Sequence, residues 1–196
     1  MFEILTVCTG NICRSPLAEQ LIRMRLAPLP VRVRSAGTYW LENEPMTPEA
    51  VRLAAGFGVP AEDSAAHRSH HLTEQDLVSP DLVLTMTRGH QRDVAALAPS
   101  IARSTFPVRE FARLSATLTD DELQDAARSA GADAAVRGRG VVAAIASRRE
   151  EVPPAADLDD DVADPFGQGW AAYQHSAAQL EPAVDEVVRA LHFALS

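Results

Sequence analysis

Strand-like apolar runs alternate with helical patterns along the first half of this chain, and this alternation constrains the fold class most. Residues 2–7, 31–34 and 81–86 are rich in apolar and β-branched side chains and predict strands. Helical spacing begins at Pro16, recurs over 47–56 and follows residue 86. Helices between successive strands are typical of parallel pairing, because each parallel connection has to cross the sheet. The pattern therefore predicts an α/β protein.

Composition and charge exclude several classes of protein. The chain has 196 residues, 46% of them hydrophobic and 23% charged, which is sufficient for a folded domain with a core. Its net charge is −9, so a nucleic-acid partner is not expected. No apolar stretch is long enough to span a membrane, and no signal peptide is expected at residues 1–11. The two cysteines build no disulfide scaffold, so a cytoplasmic location is expected.

Residues 115–161 differ from the rest of the chain because Ala, Arg, Asp and Glu dominate and aromatic residues are absent. A helix is predicted over 120–135, the glycines within 138–140 are expected to end it, and a short second helix is predicted over 141–149. An acidic run follows over 157–164. The segment is interpreted as a solvated helical or loop insertion. Residues 170–195 have helical spacing of apolar residues and predict a closing helix.

The segment between the first strand and the first helix carries the most specific motif. It comprises Cys8, Thr9, Gly10, Asn11, Ile12, Cys13, Arg14 and Ser15. A loop in this position turns backbone N–H groups and a helix N-terminus toward one concave site, which binds phosphate or another oxyanion. The Arg14 guanidinium matches two phosphoryl oxygens, and the same positive surroundings favour a thiolate at Cys8. Such a thiolate attacks a bound phosphate in line to form a phosphocysteine, and a hydrogen bond from Ser15 would ease its later departure.

Taken singly, Cys8 fits a small buried apolar residue and Arg14 fits a surface cation. Their joint placement between a strand and a helix favours the catalytic interpretation. Residues 7–16 resemble the phosphate loop of the low-molecular-weight protein tyrosine phosphatases, bacterial type, and residues 35–38, 66–67 and 81–86 also match that family. The resemblance implies a layered helix–sheet–helix fold with a central four-stranded parallel sheet. It covers about residues 1–112 and 162–196, which predicts one domain with an insertion at about 115–161.

The resemblance also assigns roles around the loop. In the family, Asn, Ser and His side chains hold the phosphate loop in shape, and these roles fall on Asn11, Ser15, Ser35 and His67. Asn tolerates left-handed backbone geometry, which suits Asn11 in a tight loop. From the residues alone, His67 is an ordinary loop histidine. Cys13 could form a protective disulfide with Cys8, as in the family, but a buried spacer thiol is an equally good interpretation.

Hydrolysis also requires a group that protonates the leaving oxygen and later deprotonates water. Five Asp residues lie within 157–164, and composition cannot choose among them. The family places its general acid in an Asp-Pro-aromatic loop before the final helix. Asp164, Pro165 and Phe166 match this pattern, so Asp164 is predicted to be the acid. The other four carboxylates are interpreted as solvated charge.

The predicted substrate is a phosphotyrosine-containing protein, because a nucleophile at the bottom of a deep loop favours a long, flat side chain. Phe166, together with Tyr39 or Trp40, would wall the slot, although ordinary packing explains Tyr39 and Trp40 nearly as well. The sequence Asp-Pro-Phe-Gly also resembles bacterial protein arginine phosphatases. Those carry Thr at the position of Ile12, and only a Thr hydroxyl accepts a guanidinium hydrogen bond, so Ile12 favours phosphotyrosine.

Two further functions remain open from the sequence. An arsenate reductase on the same fold would need a small external thiol, because no cysteine follows Cys13. A phosphate-binding module without catalysis is disfavoured because nucleophile, arginine and acid are all present. Neither a metal ion nor an organic cofactor is expected, since Arg14 and the loop amides meet the charge of the transition state.

Overall fold

Four parallel strands form one sheet in the computed structural model, which describes residues 1–156 and 159–196. The strands are β1 (Phe2–Cys8), β2 (Val31–Gly37), β3 (Leu82–Thr85) and β4 (Thr105–Pro107), in the spatial order β2-β1-β3-β4. Phe2 pairs with Val31, Cys8 with Gly37 and Ile4 with Leu82. The predicted α/β class with a central four-stranded parallel sheet is confirmed.

Helices cover both faces of this sheet. They are α1 (Arg14–Leu26), α2 (Pro48–Gly56), α3 (Ala61–Ala66), α4 (Arg88–Leu97), α5 (Val108–Ser115), α6 (Asp120–Ala130), α7 (Ala134–Ser147) and α8 (Trp170–Leu195). One core cluster contains Ile4, Leu82 and Leu84 with side chains from α1, α5, α7 and α8. A second cluster contains Leu5 and Val83 with residues of α4 and the loops around it. Alternate strand residues thus face opposite helix layers.

The first helix begins two residues earlier than its sequence pattern indicates. The pattern predicts a start at Pro16, whereas α1 begins at Arg14. Pro16 lies within the first turn, where a residue without an N–H loses no intrahelical hydrogen bond. The earlier start matters because it places Arg14 and Ser15 on a rigid helix rather than in the loop. By contrast, α2 begins after Thr47 as predicted, and the Thr47 hydroxyl accepts a hydrogen bond from the Ala50 N–H.

The part of residues 115–161 that the structure describes is not the solvated segment that its composition predicted. Leu123 of α6 and Val141, Val142 and Ile145 of α7 are buried in the main core cluster. Helix α7 also runs through 138–140, where the glycines were expected to break it. A Cβ at Gly138 would lie 2.6 Å from the Phe2 ring, and a Cβ at Gly140 would lie 2.5 Å from Ala130 Cβ. These glycines let α7 approach β1 and α6 closely.

Two further sequence predictions concern the acidic run and membrane spans. Asp157 of the acidic run lies outside the described residues, so its predicted solvation is untested. Within the residues that are described, no helix is both long enough and apolar enough to cross a membrane.

Candidate active site

The loop between β1 and α1 is a tight turn held by its own backbone geometry. Asn11 takes the left-handed conformation, with φ of 53°, and is fully buried. Gly37 lies directly against the loop: a Cβ there would be 2.6 Å from the Thr9 carbonyl oxygen. An Asn in the left-handed region and a Gly at a close backbone approach are the residue types that such a turn requires. The fold therefore sets the shape of the loop before any side chain acts.

The Cys8 sulfur lies at the end of β1 and receives hydrogen bonds from this loop. The Asn11 N–H donates to Sγ at 3.3 Å, and the Ser15 hydroxyl lies 3.0 Å from it. The Asn11 amide donates to Ser15 Oγ at 2.9 Å and to Ser35 Oγ at 2.8 Å. Ser15 Oγ thus accepts from Asn11, and its own proton has two acceptors within reach, the sulfur and the Ala36 carbonyl at 3.4 Å. Together these contacts hold the Cys8 sulfur and the Ser15 hydroxyl side by side at the base of the loop.

The predicted supporting network is brought together and extends to residues that sequence reasoning missed. His67 Nε2 lies 2.7 Å from the Asn11 carbonyl oxygen, and the His70 N–H donates to Asn11 Oδ1 at 3.0 Å. Ser35 donates its hydroxyl proton to Glu19 at 2.6 Å. Glu19 stands one helical turn after Ser15 on α1, a spacing that would have placed it near the loop.

Arg14 is buried, with 4% of its surface exposed, and its guanidinium connects the loop to the acidic segment. Nη1 donates to the Val162 carbonyl at 3.1 Å, and Nη2 donates to Thr9 Oγ1 at 3.3 Å. Nη2 also lies 2.5 Å from Asp164 Oδ2. Among the described residues, the buried Nε finds no hydrogen-bond acceptor. An oxyanion in the loop would supply one, since a buried donor without a partner is costly.

A cavity of about 320 Å³ opens above the loop and joins the three residues predicted to be catalytic. It is lined by Cys8, Thr9, Gly10, Ile12, Cys13, Arg14, Tyr39, Leu41, Asp164 and Phe166. Asn11 and Ser15, predicted as phosphate-binding, are buried beneath the lining. Trp40, predicted as a wall, is outside the lining: it stacks on His71 with ring centroids 4.1 Å apart. Leu41 forms part of the wall and was not predicted.

Cys13 faces the cavity but is held from the opposite side. Its sulfur lies 3.4 Å from Thr47 Oγ1 and 3.5 Å from the Tyr173 hydroxyl of α8. Burial raises the pKa of the Cys13 thiol. Both cysteines are free thiols, so Cys13 is a protonated, packed side chain in this structure.

His90 is a buried neighbour of the site that the sequence did not identify. It is 6% exposed, with Nε2 at 2.9 Å from Thr9 Oγ1 and Nδ1 at 2.9 Å from Thr87 Oγ1. Burial, together with the positive charge of Arg14, lowers the pKa of His90 to about 4. A neutral His90 therefore supports Thr9, which in turn contacts Arg14. The available signal was its position just after β3, since the carboxyl ends of parallel strands meet at one edge of the sheet.

The acidic run divides into different environments, which corrects the prediction of uniform solvation. Asp164 is half-exposed, and Asp159 is exposed. Asp160 is 2% exposed and pairs with Arg88 and Arg113. Asp161 is partly buried, and its carboxylate accepts a hydrogen bond from the Arg88 N–H at 2.7 Å. Within 1–156 and 159–196, no group of three or more His, Cys, Asp or Glu side chains is arranged to hold a metal ion.

Comparison with known proteins decides the family. Residues 3–128 match the family described as low molecular weight phosphotyrosine protein phosphatase. The chain belongs to this family. The family member Etp of Escherichia coli (strain K12), a low molecular weight protein-tyrosine-phosphatase, is 42% identical over 103 residues, or 53% of this chain and 66% of its own length. The match thus spans just under two thirds of that relative.

A second relative matches over a longer span. The protein-arginine-phosphatase of Geobacillus stearothermophilus is 27% identical over 190 residues, which is 97% of this chain and 96% of the relative. Two solved structures of such proteins superpose on this chain over nearly its whole length. A low molecular weight protein tyrosine phosphatase from T. tengcongensis superposes with a TM-score of 0.65 at 27% identity, covering 96% of this chain and 98% of that one. The arginine phosphatase YwlE from G. stearothermophilus superposes with a TM-score of 0.62 at 26% identity, covering 95% and 90%.

Proposed function

We propose that this chain hydrolyses phosphotyrosine in proteins through a phosphocysteine intermediate. One observation carries the proposal: the Cys8 sulfur, the Arg14 guanidinium and the Asp164 carboxylate line the same cavity. A nucleophile, an oxyanion-binding cation and a proton carrier are the groups that a phosphomonoester needs when no metal is involved. The family to which the chain belongs is named for this activity.

In the first step, the Cys8 thiolate attacks phosphorus, the Sγ–P bond forms and the bond from phosphorus to the tyrosine oxygen breaks. Asp164 gives its proton to that oxygen, so phenol leaves neutral. Arg14 and the backbone N–H groups of Thr9, Gly10, Ile12 and Cys13 bind the phosphoryl oxygens. Arg14 also contacts Asp164 at 2.5 Å, so the phosphate-binding cation and the acid are held together.

In the second step, the Asp164 carboxylate takes a proton from water, and the water oxygen attacks phosphorus. The Sγ–P bond breaks and inorganic phosphate is released. The Ser15 hydroxyl, 3.0 Å from Sγ, donates to the departing thiolate. Asn11 donates to Ser15 Oγ at 2.9 Å, so the hydroxyl is held in place for this step. A thiolate nucleophile also requires a reducing environment, which supports a cytoplasmic location.

The lining of the cavity favours an aryl substrate. Ile12 and Leu41 form apolar walls, and the exposed rings of Tyr39 and Phe166 stand at the rim. A phenyl ring buries its faces there, with offset or edge contacts to the aromatics. A guanidinium would leave its N–H groups without acceptors beside Ile12, which costs free energy.

A second candidate, protein arginine phosphatase, is favoured by one observation: the G. stearothermophilus relative of that name matches 97% of this chain. The same nucleophile, cation and acid would serve a phosphoarginine substrate, so the two candidates differ in the cavity wall and not in the chemistry. We place this difference in the cavity wall at residue 12, which is Ile in this chain.

The experiment compares phosphate release from matched phosphotyrosine and phosphoarginine peptides without added metal. Wild type, Cys8→Ser, Asp164→Asn and Ile12→Thr are assayed. We expect phosphotyrosine turnover that disappears in Cys8→Ser, falls about 100-fold or more in Asp164→Asn, and shifts toward phosphoarginine in Ile12→Thr. Preference of the wild type for phosphoarginine would overturn the substrate and keep the mechanism. Turnover of neither peptide would refute a phosphatase and direct the assay to thiol-coupled arsenate reduction or to phosphate binding without catalysis.

A further inference from the structure

A buried ion pair lies immediately before the acid loop. Asp160 Oδ2 accepts hydrogen bonds from Arg88 Nη2 at 2.9 Å and from Arg113 Nη2 at 3.0 Å, and Asp160 Oδ1 accepts from Arg113 Nε at 3.2 Å. Arg113 thus binds both carboxylate oxygens with its planar fork. Burial acts to raise the pKa of Asp160, but the hydrogen bonds from Arg113 and Arg88 outweigh it and hold the pKa below its ordinary value. Asp160 is charged at neutral pH.

The residues after Asp160 are fastened in turn until the chain reaches the site. The Asp161 carbonyl accepts from Arg109 Nη1 at 2.9 Å. The Val162 N–H donates to the Met86 carbonyl at 2.8 Å, and its own carbonyl accepts from Arg14 Nη1 at 3.1 Å. The Ala163 N–H donates to the Gln179 side chain at 2.8 Å. The backbone path from Asp160 to Asp164 is therefore defined by contacts with α1, α4, α5, α8 and the end of β3.

We propose that Asp160 is a positioning residue for Asp164: its ion pairs with Arg88 and Arg113 anchor the acid loop and set the Asp164 carboxylate at the leaving oxygen. The inference rests on the proposed function, because it assigns a partner to the general acid of that mechanism. Asp160 touches neither the cavity nor Arg14, so it acts through the backbone of 161–163. Replacing it leaves Arg88 and Arg113 without their carboxylate, and the start of the loop loses its buried attachment.

A positioning role has a signature that loss of stability alone does not produce. A misplaced acid matters most when the leaving oxygen is strongly basic, and matters less when the leaving group departs readily without a proton. Phenyl phosphate has a poor leaving group, and 4-nitrophenyl phosphate has a good one. The readout is kcat/KM, because for a two-step reaction it reports formation of the phosphocysteine and not its hydrolysis.

The experiment measures kcat/KM on both esters for wild type, Asp160→Asn and Asp159→Asn. Asp159→Asn is the matched control, since it removes the same charge from the neighbouring, exposed position. We expect Asp160→Asn to lose about tenfold on phenyl phosphate and about twofold on 4-nitrophenyl phosphate, with Asp159→Asn within about twofold of wild type on both. In the Asp164→Asn background, Asp160→Asn should add no further bias between the two esters, because the proton donor is already gone.

A second variant decides the matter if Asp160→Asn does not fold. Arg113→Lys keeps the positive charge at a partly exposed side chain but cannot make the two-pronged contact. The same bias toward the good leaving group is expected, at a smaller size. Equal losses on both esters, in whichever variant folds, would overturn the proposal while leaving the proposed function intact. An inactive wild type would refute the proposed function and with it this role of Asp160.

Discussion

Lowering the pH should destabilise this protein well before its carboxylates begin to protonate, and His90 is the cause. In the unfolded chain a histidine binds a proton near pH 6.5, whereas burial and Arg14 lower the pKa of His90 in the fold to about 4. Between these values the unfolded state binds a proton that the folded state does not. The stability associated with neutral His90 is therefore present above about pH 6.5 and is lost as the pH falls toward about 4.

The size of the effect follows from the width of this interval. One proton contributes about 1.4 kcal/mol per pH unit, so the loss between about pH 6.5 and about pH 5 is near 2 kcal/mol. The groups that face His90 are Thr9, Thr87, Arg14, Asp164 and Asp161. The carboxylates with lowered pKa values, such as Glu3 and Asp160, lose their stabilisation at lower pH still. Above about pH 5, the pH dependence of the free energy of unfolding is therefore dominated by His90.

The assay is urea unfolding at about pH 7 and about pH 5, for wild type and His90→Gln. Gln keeps a polar group near Thr9 and does not titrate. We expect the free energy of unfolding of wild type to fall by about 2 kcal/mol more than that of His90→Gln over this range. His67, His70 and the remaining histidines are common to both proteins, so their contributions cancel. An equal loss of unfolding free energy in wild type and His90→Gln between the two pH values would refute the reasoning.

Three further outcomes are expected. Ser15→Ala should lower kcat about tenfold and make phosphocysteine accumulate, because the departing sulfur loses its donor 3.0 Å away. The accumulation is measured as a burst in rapid-quench kinetics, and an unchanged kcat would contradict the prediction. Gly140→Ala should cost about 1–3 kcal/mol in thermal unfolding, because its Cβ would lie 2.5 Å from Ala130 Cβ, whereas Gly56→Ala, with open space around it, should not destabilise. Thr119→Ala should cost about 1 kcal/mol by removing the capping box with Glu122, and no change in the unfolding midpoint would count against it.

Three of the four strands and the phosphate loop were predictable because each depends on local sequence, whereas the four-stranded sheet was expected only from the resemblance to the family. Residues 2–7 form a nearly continuous apolar run, which a strand buried on both faces produces. The loop that follows needs a residue tolerant of left-handed geometry, and Asn11 is one. Strand β4 has three residues, one of them proline, so it carries no periodic signal that could be recognised.

The path of α7 shows what local sequence cannot supply. Two glycines in a short stretch lower helix propensity, and propensity alone predicts a break. In the fold, the same absence of side chains admits Phe2 at one glycine and Ala130 at the other. The apolar packing of α7 against these residues outweighs the propensity cost, because helix stability in proteins comes mostly from tertiary packing. The decisive partners lie in β1 and α6, and no pattern within α7 identifies them.

The acidic run shows that local sequence is equally unable to identify the partners of functional residues. Asp160 and Asp164 are the same residue type, four positions apart in one run, yet Asp160 is buried between two arginines and Asp164 is half-exposed at the cavity. A proton carrier must reach both substrate and water, which a carboxylate held in a buried ion pair cannot do. In the proposed mechanism the buried carboxylate anchors the loop, and Asp164, which contacts Arg14 but stays half-exposed, exchanges protons. The composition of the run does not separate these two acids, because the difference lies in their burial and in the pairing of Asp160 with Arg88 of α4 and Arg113 of α5.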